Sequence, residues 1–260
     1  MDKNSAALAE ALEQGATVFY VDHHFPGEIP DHPGLTAMIN EAPEVCTAAL
    51  VNGHLKGRYV QWAVTGAFGD NLAETAGRLA RDAGIDRATM EQLESLGTCI
   101  NYNGYGPAIE DLHFDPEDLY RTLYTAGEPL AFSASADFRR LSEGYREDMA
   151  RAAELQPARG TATAAVFFLP NEAWARRVSG VFSNDLATGH PSRAHAVATL
   201  KDNGNYLVSV RAPLSNRQGA ADLCRRFPTG GGRAAAAGIN DLPADSLGSF
   251  VDEFSATYSA

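Results

Sequence analysis

One short segment constrains this chain more than any other. Residues 16–21 form an apolar run that ends abruptly in Asp22, His23 and His24. Small, apolar, β-branched and aromatic residues after a glycine predict a short buried strand. Residues 23–34 then hold three prolines and two glycines, which excludes regular structure there. One acid and two imidazoles therefore stand side by side at the mouth of a strand.

The composition is that of a soluble globular protein, with 260 residues of which 45% are hydrophobic and 21% charged. No apolar run reaches the roughly 18 residues that a membrane span needs, and the N-terminal residues lack the apolar core of a signal peptide. Three cysteines lie far apart in the sequence, without a CxxC pair. This pattern predicts reduced, buried thiols in a cytoplasmic protein.

The formal net charge of −12 argues against a grip on long nucleic acid, which usually requires a basic stripe. Arginines are nevertheless concentrated late in the chain, where they indicate either a local anion site or solvated helix faces. They are Arg176, Arg177, Arg193, Arg211, Arg217, Arg225, Arg226 and Arg233.

Helical and extended patterns alternate along the chain, which predicts an α/β fold with a parallel sheet in its first part. The predicted helices cover residues 6–14, 44–55, 73–83, 87–99, 116–126, 136–155, 172–186, 217–227 and 244–254. The predicted strands lie within residues 16–21, 161–170, 194–213 and 234–240. We expect an α/β domain over residues 1–134, a connecting helix and linker over 135–160, and a smaller α/β domain over 161–260.

The chemistry of Asp22, His23 and His24 suits a metal, because a carboxylate and neutral imidazoles bind manganese, zinc or iron. Adjacent histidines on an extended segment point opposite ways, so one could ligate a metal while the other faces a substrate. Asp70, which follows the apolar run 62–69, is a candidate for a further carboxylate at the same edge. The alternatives are surface-loop histidines and, for Asp70, a helix cap.

The triple glycine Gly230–Gly232, followed by Arg233, indicates an anion site. Glycine amides can approach a phosphate closely, and an arginine can bind one with two parallel hydrogen bonds. The alternatives are a flexible surface loop and a coenzyme A pyrophosphate loop. The latter needs a strand before the glycines and a helix after them, whereas the predicted helix here ends at Phe227, before the glycines.

In combination these motifs resemble the DHH phosphoesterase superfamily with its DHH-associated C-terminal domain. Its members include RecJ-type exonucleases, oligoribonucleases, cyclic-dinucleotide phosphodiesterases, and manganese pyrophosphatases and exopolyphosphatases. VDHH at residues 21–24 is similar to the third family motif, and GAFGDN at 66–71 to the fourth. VSVRAP at 208–213, followed by GGGR and AAAAG, resembles the end of the C-terminal domain.

The resemblance implies a two-metal hydrolase that uses manganese or another divalent metal. By analogy His23 and Asp70 would bind metal, His24 would lie toward the phosphate, and Asp22 would orient or support the site. The C-terminal domain would hold the rest of the substrate through Arg211, Gly230, Gly231, Gly232 and Arg233. The implied substrate is a small phosphorylated compound or a short oligonucleotide, without a membrane partner, and a homodimer is possible by the same analogy.

Two departures from the family pattern bear on activity. The first two family motifs, a His-x-Asp-x-Asp strand and a second strand that ends in Asp, have no counterpart before Thr17. We therefore expect Met1 to be an internal methionine of a longer protein, with half of the metal site absent and hydrolysis impaired. In addition, GGGR replaces the family's GGGH. A non-catalytic phosphate- or nucleotide-binding protein is the alternative, and a coenzyme A-dependent acetyltransferase is the least favoured.

Overall fold

The computed structural model describes Met1 and residues 4–259. The α-helices in this part of the chain are α1 (Ser5–Glu13), α2 (Thr47–His54), α3 (Val60–Gly69), α4 (Ala73–Asp82), α5 (Arg87–Tyr102), α6 (Pro116–Ala126), α7 (Pro129–Ser133), α8 (Ala136–Ala153), α9 (Ala173–Gly189), α10 (Ala220–Cys224) and α11 (Leu247–Thr257). The strands are β1 (Val18–Asp22), β2 (Leu35–Ile39), β3 (Arg159–Gly160), β4 (Ala164–Leu169), β5 (Ala194–Leu200), β6 (Tyr206–Arg211), β7 (Gly230–Gly232) and β8 (Ala236–Leu242). The predicted α/β class is confirmed.

The described residues divide into two compact units. The first comprises Met1–Asn101 with Arg121–Arg139, and the second comprises Tyr102–Tyr120 with Arg140–Ala260. None of the helices that the structure describes is long and apolar enough to cross a membrane. The three cysteines are buried and unpaired, as the sequence predicts.

The first unit contains a two-stranded parallel sheet, β1–β2, whose register runs from Val18 opposite Leu35 to Asp22 opposite Ile39. Buried Leu8 and Leu12 of α1 cover one face of this sheet. A separate core lies among α2, α3, α4 and α5, where small and aliphatic side chains pack closely. Its buried members are Cys46, Val64, Ala67, Ala76, Ala80 and Leu93.

Strand β2 was not predicted from the sequence. Its residues, Leu35–Ile39, include leucine, alanine and methionine, which have weak intrinsic preference for strands. Every residue of the segment pairs with β1 in parallel register. This segment is therefore a strand because it pairs with β1, and its local propensity gives no sign of that pairing.

The second unit is built on a six-stranded sheet of order β3-β4-β5-β6-β8-β7. Strands β4 and β5 run parallel, and the other neighbours run antiparallel. Helix α9 lies against β4, β5 and β6, with the Phe167 and Phe182 rings 5.5 Å apart. A second core joins the sheet to α10 and α11, in which Phe250 and Phe254 are fully buried.

The helix predicted over residues 217–227 is much shorter in the structure, because α10 covers Ala220–Cys224 alone. Gly219 precedes it with φ of +93°, a left-handed conformation that a helix cannot contain. At the other end, Gly230 packs against the Cys224 carbonyl. The left-handed backbone of Gly219 at one end and the close packing of Gly230 at the other therefore limit the helix to little more than one turn.

Candidate metal centre

Asp22 is the last residue of β1, so the strand end delivers its carboxylate to the carboxyl edge of the parallel pair. Its Oδ1 accepts hydrogen bonds from the backbone N–H groups of His23 at 2.7 Å and His24 at 3.2 Å. The same oxygen lies 2.9 Å from His24 Nδ1. Partial burial opposes ionisation, but these hydrogen bonds outweigh it and lower the pKa of Asp22 to about 2.

This turn corrects one expectation from the sequence. Adjacent histidines on a straight strand would point opposite ways, but here the rings of His23 and His24 lie 4.2 Å apart. Because Asp22 accepts hydrogen bonds from both of the following backbone N–H groups, the chain turns there and the extended strand ends at that residue. Their exposure still differs, since the His23 side chain is 11% exposed and that of His24 is 66% exposed.

His23 is held by a backbone contact that fixes its chemistry. Its Nδ1 lies 2.7 Å from the carbonyl oxygen of Val45, a geometry in which Nδ1 carries the proton and donates it. In the neutral tautomer that this contact favours, the lone pair is on Nε2, which lies 3.4 Å from Oδ2 of Asp70. A carbonyl partner of this kind is what commonly orients metal-binding histidines in proteins.

Asp70 is placed by the end of α3. The helix closes with two hydrogen bonds, from Asn71 N to Phe68 O at 2.9 Å and from Leu72 N to Ala67 O at 2.8 Å. Asn71 adopts φ of +59°, so the pair of bonds forms a Schellman motif. Asp70 is thus the C-terminal boundary of α3 and does not cap α4, whose boundary residue is Leu72.

The donor set fits a divalent metal. One ligand atom from each of Asp22, His23 and His24 lies within 4.8 Å of the others, and Asp70 adds a second carboxylate beside His23. Carboxylate oxygens and neutral imidazole nitrogens suit manganese, iron and zinc. Among Met1 and residues 4–259, these three residues are the single group in which three or more such ligand atoms converge.

Arg211 and the triple glycine lie in the second unit, on either side of β8. Arg211 pairs with Ala236, and Gly231 pairs with Gly238. The Arg211 Nε donates to Asn184 Oδ1 on α9 at 2.9 Å, and burial lowers the pKa of Arg211 from its ordinary value. The guanidinium nonetheless stays cationic at neutral pH, because the arginine pKa lies so far above 7.

The three glycines have different surroundings. A Cβ at Gly230 would lie 1.8 Å from the Cys224 carbonyl oxygen, and one at Gly232 would lie 2.5 Å from Ala237 Cα. Packing therefore requires glycine at these two positions. A Cβ at Gly231 would meet no atom of the described residues within 4 Å. Of the three, Gly231 alone presents open space that a ligand could fill.

Arg233 begins the tight turn between β7 and β8, where its N–H donates to Ala236 O at 2.9 Å and its side chain is exposed. The glycines are thus part of a β-hairpin, which excludes the flexible-loop alternative. The element order is helix α10, glycine strand β7, then strand β8. This order lacks the helix after the glycines that a coenzyme A loop requires.

Two of the late arginines serve the structure of the second unit. Arg176 binds both carboxylate oxygens of Asp111, at 2.5 and 2.8 Å. Arg177 Nε donates to Asp148 at 2.7 Å and to the Tyr102 hydroxyl at 3.0 Å. Asp111 and Asp148 are both buried, so these arginines neutralise interior charge. Both side chains therefore have partners within the fold. They do not serve the anion site that the sequence analysis left open for the late arginines.

Sequence reasoning missed the partners that orient the candidate residues. The Val45 carbonyl that holds His23 is a backbone group, and no side-chain pattern identifies it. Asn184 lies in the middle of α9, 27 residues from the Arg211 that it contacts. Neither position carries a local signal, since both act through tertiary contact.

No family model matches the sequence, and no curated protein matches it. Solved structures do. One is the DHH domain of a protein described as a member of a family of ribosomal proteins, with a TM-score of 0.59 and 13% identity. The match covers 96% of this chain and 65% of that one, so this chain spans less than two thirds of its length.

A second match is the pGpG-specific phosphodiesterase PggH from Vibrio cholerae. Its TM-score is 0.53 at 14% identity, and the match covers 95% of this chain and 87% of that one. The chain has the DHH-domain fold. The tripeptide that gives the fold its name stands here at Asp22, His23 and His24. The similarity in structure confirms the fold that the motifs predicted, at an identity too low to carry a function by itself.

Proposed function

We propose that this DHH-fold chain is a metal-dependent phosphoesterase that acts on a phosphodiester or phosphomonoester of a small or short nucleotide. The observation that carries the proposal is the arrangement of His23. Its Nδ1 is engaged by the Val45 carbonyl, while Nε2 faces the Asp70 carboxylate across 3.4 Å. An oriented imidazole beside a carboxylate is a pair of metal donors set in place before the metal binds.

Each residue of the centre has a distinct role in this proposal. His23 and Asp70 bind the metal, for which we propose manganese. Asp22 is ionised at neutral pH and holds His24 through Nδ1, which leaves His24 Nε2 available to contact a phosphate group. A bound divalent metal lowers the pKa of a water ligand and offsets negative charge on phosphate.

The second unit supports a phosphorylated substrate. Gly231 leaves open space above bare backbone, and Arg211 is a cation fixed by Asn184 of helix α9. Fixed cations and close backbone amides are what phosphate groups bind in proteins. We propose that Arg211, Arg233 and Gly231 bind the substrate, and that Gly230 and Gly232 hold the strand that presents Gly231.

The test is manganese binding and manganese-dependent hydrolysis of a 5′-phosphorylated dinucleotide. His23→Ala and Asp70→Asn should each lower manganese affinity by at least about 100-fold, because even the outer partners of metal ligands contribute about 10- to 100-fold. Calorimetry measures the affinity, and chromatographic separation of mononucleotide products measures hydrolysis.

His54→Ala is the matched control, since His54 is a histidine of the same unit that lies outside the cluster. It should leave both measurements unchanged. Equal manganese affinity in the wild type, His23→Ala and Asp70→Asn proteins would contradict the proposed centre.

One observation favours a second function, that of a non-catalytic phosphate- or nucleotide-binding protein. The described residues gather one cluster of metal donors, whereas a two-metal mechanism needs ligands for a second ion as well. Tight dinucleotide binding without any product, at saturating manganese, would favour this second function over hydrolysis.

A further inference from the structure

An exposed aromatic residue directly follows the candidate metal centre in the chain. Phe25 follows His24 in the chain, and its residue surface is 74% exposed. A single exposed apolar side chain is ordinary on a protein surface. This one is distinguished by its place, one residue from an imidazole whose ligand atom lies within 4.8 Å of those of Asp22 and His23.

The backbone on both sides of the ring is held in position. On one side, the His24 N–H and Nδ1 both bond Asp22 Oδ1. On the other side, Pro26 is buried, and a following proline restricts the backbone of Phe25 to extended conformations. Gly27, with φ of +71°, then turns the chain. Phe25 is therefore presented outward from a fixed segment.

We propose that Phe25 is a specificity-determining residue that stacks on a nucleobase of the substrate. This inference rests on the proposed function and refines it. A phosphate bound at the centre brings the groups attached to it past the neighbouring ring. A nucleobase offers a flat π-face to that ring, and stacking of this kind accepts any base. Pyrophosphate and polyphosphate offer no such face, so Phe25 favours short nucleotides over purely inorganic substrates.

The experiment compares the binding of two probes by calorimetry, in the presence of manganese, for the wild type and three variants. The probes are a 5′-phosphorylated dinucleotide and inorganic pyrophosphate. Phe25→Ala should weaken dinucleotide binding about tenfold or more and leave pyrophosphate binding unchanged. Phe25→Trp keeps a stacking face and should retain dinucleotide binding.

Phe19→Ala is the matched control. Phe19 is also a partly exposed phenylalanine of the same unit, at 49%, but its ring lies against His54, at 5.0 Å. The control should bind both probes as the wild type does. A hydrolysis assay on the dinucleotide then gives a second measurement, in which Phe25→Ala raises KM more than it lowers kcat.

The outcomes separate this inference from the proposed function. Equal loss of both probes in Phe25→Ala, or no loss of either, overturns the stacking role while the metal centre stands. A wild-type protein that binds pyrophosphate but not the dinucleotide overturns the stacking role and the nucleotide substrate together, while the metal centre stands. A wild-type protein that binds neither probe overturns the proposed function and this inference together.

Discussion

At the scale of single residues, the three glycines of β7 differ in their surroundings. Packing requires glycine at positions 230 and 232, whereas Gly231 faces open space that a ligand could fill. Gly230→Ala would place a methyl group against the Cys224 carbonyl, which should lower the free energy of unfolding by at least about 2 kcal/mol. Gly231→Ala meets no described neighbour, so it should change that free energy by less than about 0.5 kcal/mol. Urea unfolding measures both values.

The Gly231→Ala variant also tests whether the glycine strand β7 binds a substrate phosphate. If the Gly231 backbone approaches the substrate, Gly231→Ala should raise KM for the dinucleotide about tenfold, because the added methyl occupies the space that the ligand needs. Its normal stability serves as the internal control. An unchanged KM in this variant would show that the substrate does not approach Gly231.

At the scale of elements, the position of Asp70 depends on how closely α3 and α5 cross. Gly97 of α5 lies so near α3 that an added Cβ would be 2.1 Å from the Thr65 carbonyl oxygen and 2.9 Å from Gly69 N. The crossing therefore fixes the last turn of α3, from which Asp70 emerges. Small residues at the crossing therefore position Asp70 of the candidate metal centre.

Gly97→Ala should force α3 and α5 apart. We expect a loss of about 1–3 kcal/mol in the free energy of unfolding, together with weaker manganese binding as Asp70 moves away from His23. Gly53→Ala in α2 is the matched control, since its Cβ would meet no described atom within 4 Å. That change should stabilise the protein by up to about 1 kcal/mol through helix propensity. Unaltered manganese affinity in Gly97→Ala would show that the crossing of α3 and α5 does not control the position of Asp70 in the candidate metal centre.

At the scale of the whole molecule, the net charge of −12 acts on any anionic substrate. A long oligonucleotide carries more phosphates into this field than a dinucleotide does, so it is repelled more strongly. We expect kcat/KM to fall as the substrate is lengthened from two to about 24 nucleotides. Raising the salt from about 0.05 to 0.2 M should narrow the difference, because salt screens the repulsion.

A kcat/KM that rises with substrate length would contradict this expectation and would indicate attraction between the protein and the phosphates. A preference for the longer substrate that weakens steeply with added salt is the behaviour of a protein that neutralises many phosphates with basic groups. Such a result would require a basic surface that the overall charge conceals. Rate measurements at the two salt concentrations with both substrates decide between these outcomes.

The sequence alone predicted the features that local pattern controls. The apolar run before Asp22 predicted a strand that ends there, as β1 does. The apolar run before Asp70 carried no prediction of helix or strand, and the structure shows that it forms α3. The ordered motifs predicted the DHH fold. The strand prediction succeeded because hydrophobic runs, glycine turns and prolines act over a few residues, whereas the DHH fold followed from the resemblance of the motifs to a known family. The proposed roles of His23, His24, Asp70 and Arg211 stay predictions.

Tertiary structure decided what depends on residues far apart in the chain. Strand β2 exists because β1 pairs with it, and α10 is short because Gly219 and Gly230 limit it. The proton on His23 Nδ1 follows from a carbonyl 22 residues away. Composition could identify the donors, but their tautomers, orientations and mutual distances arise from packing, since long-range contacts leave no local mark on the sequence.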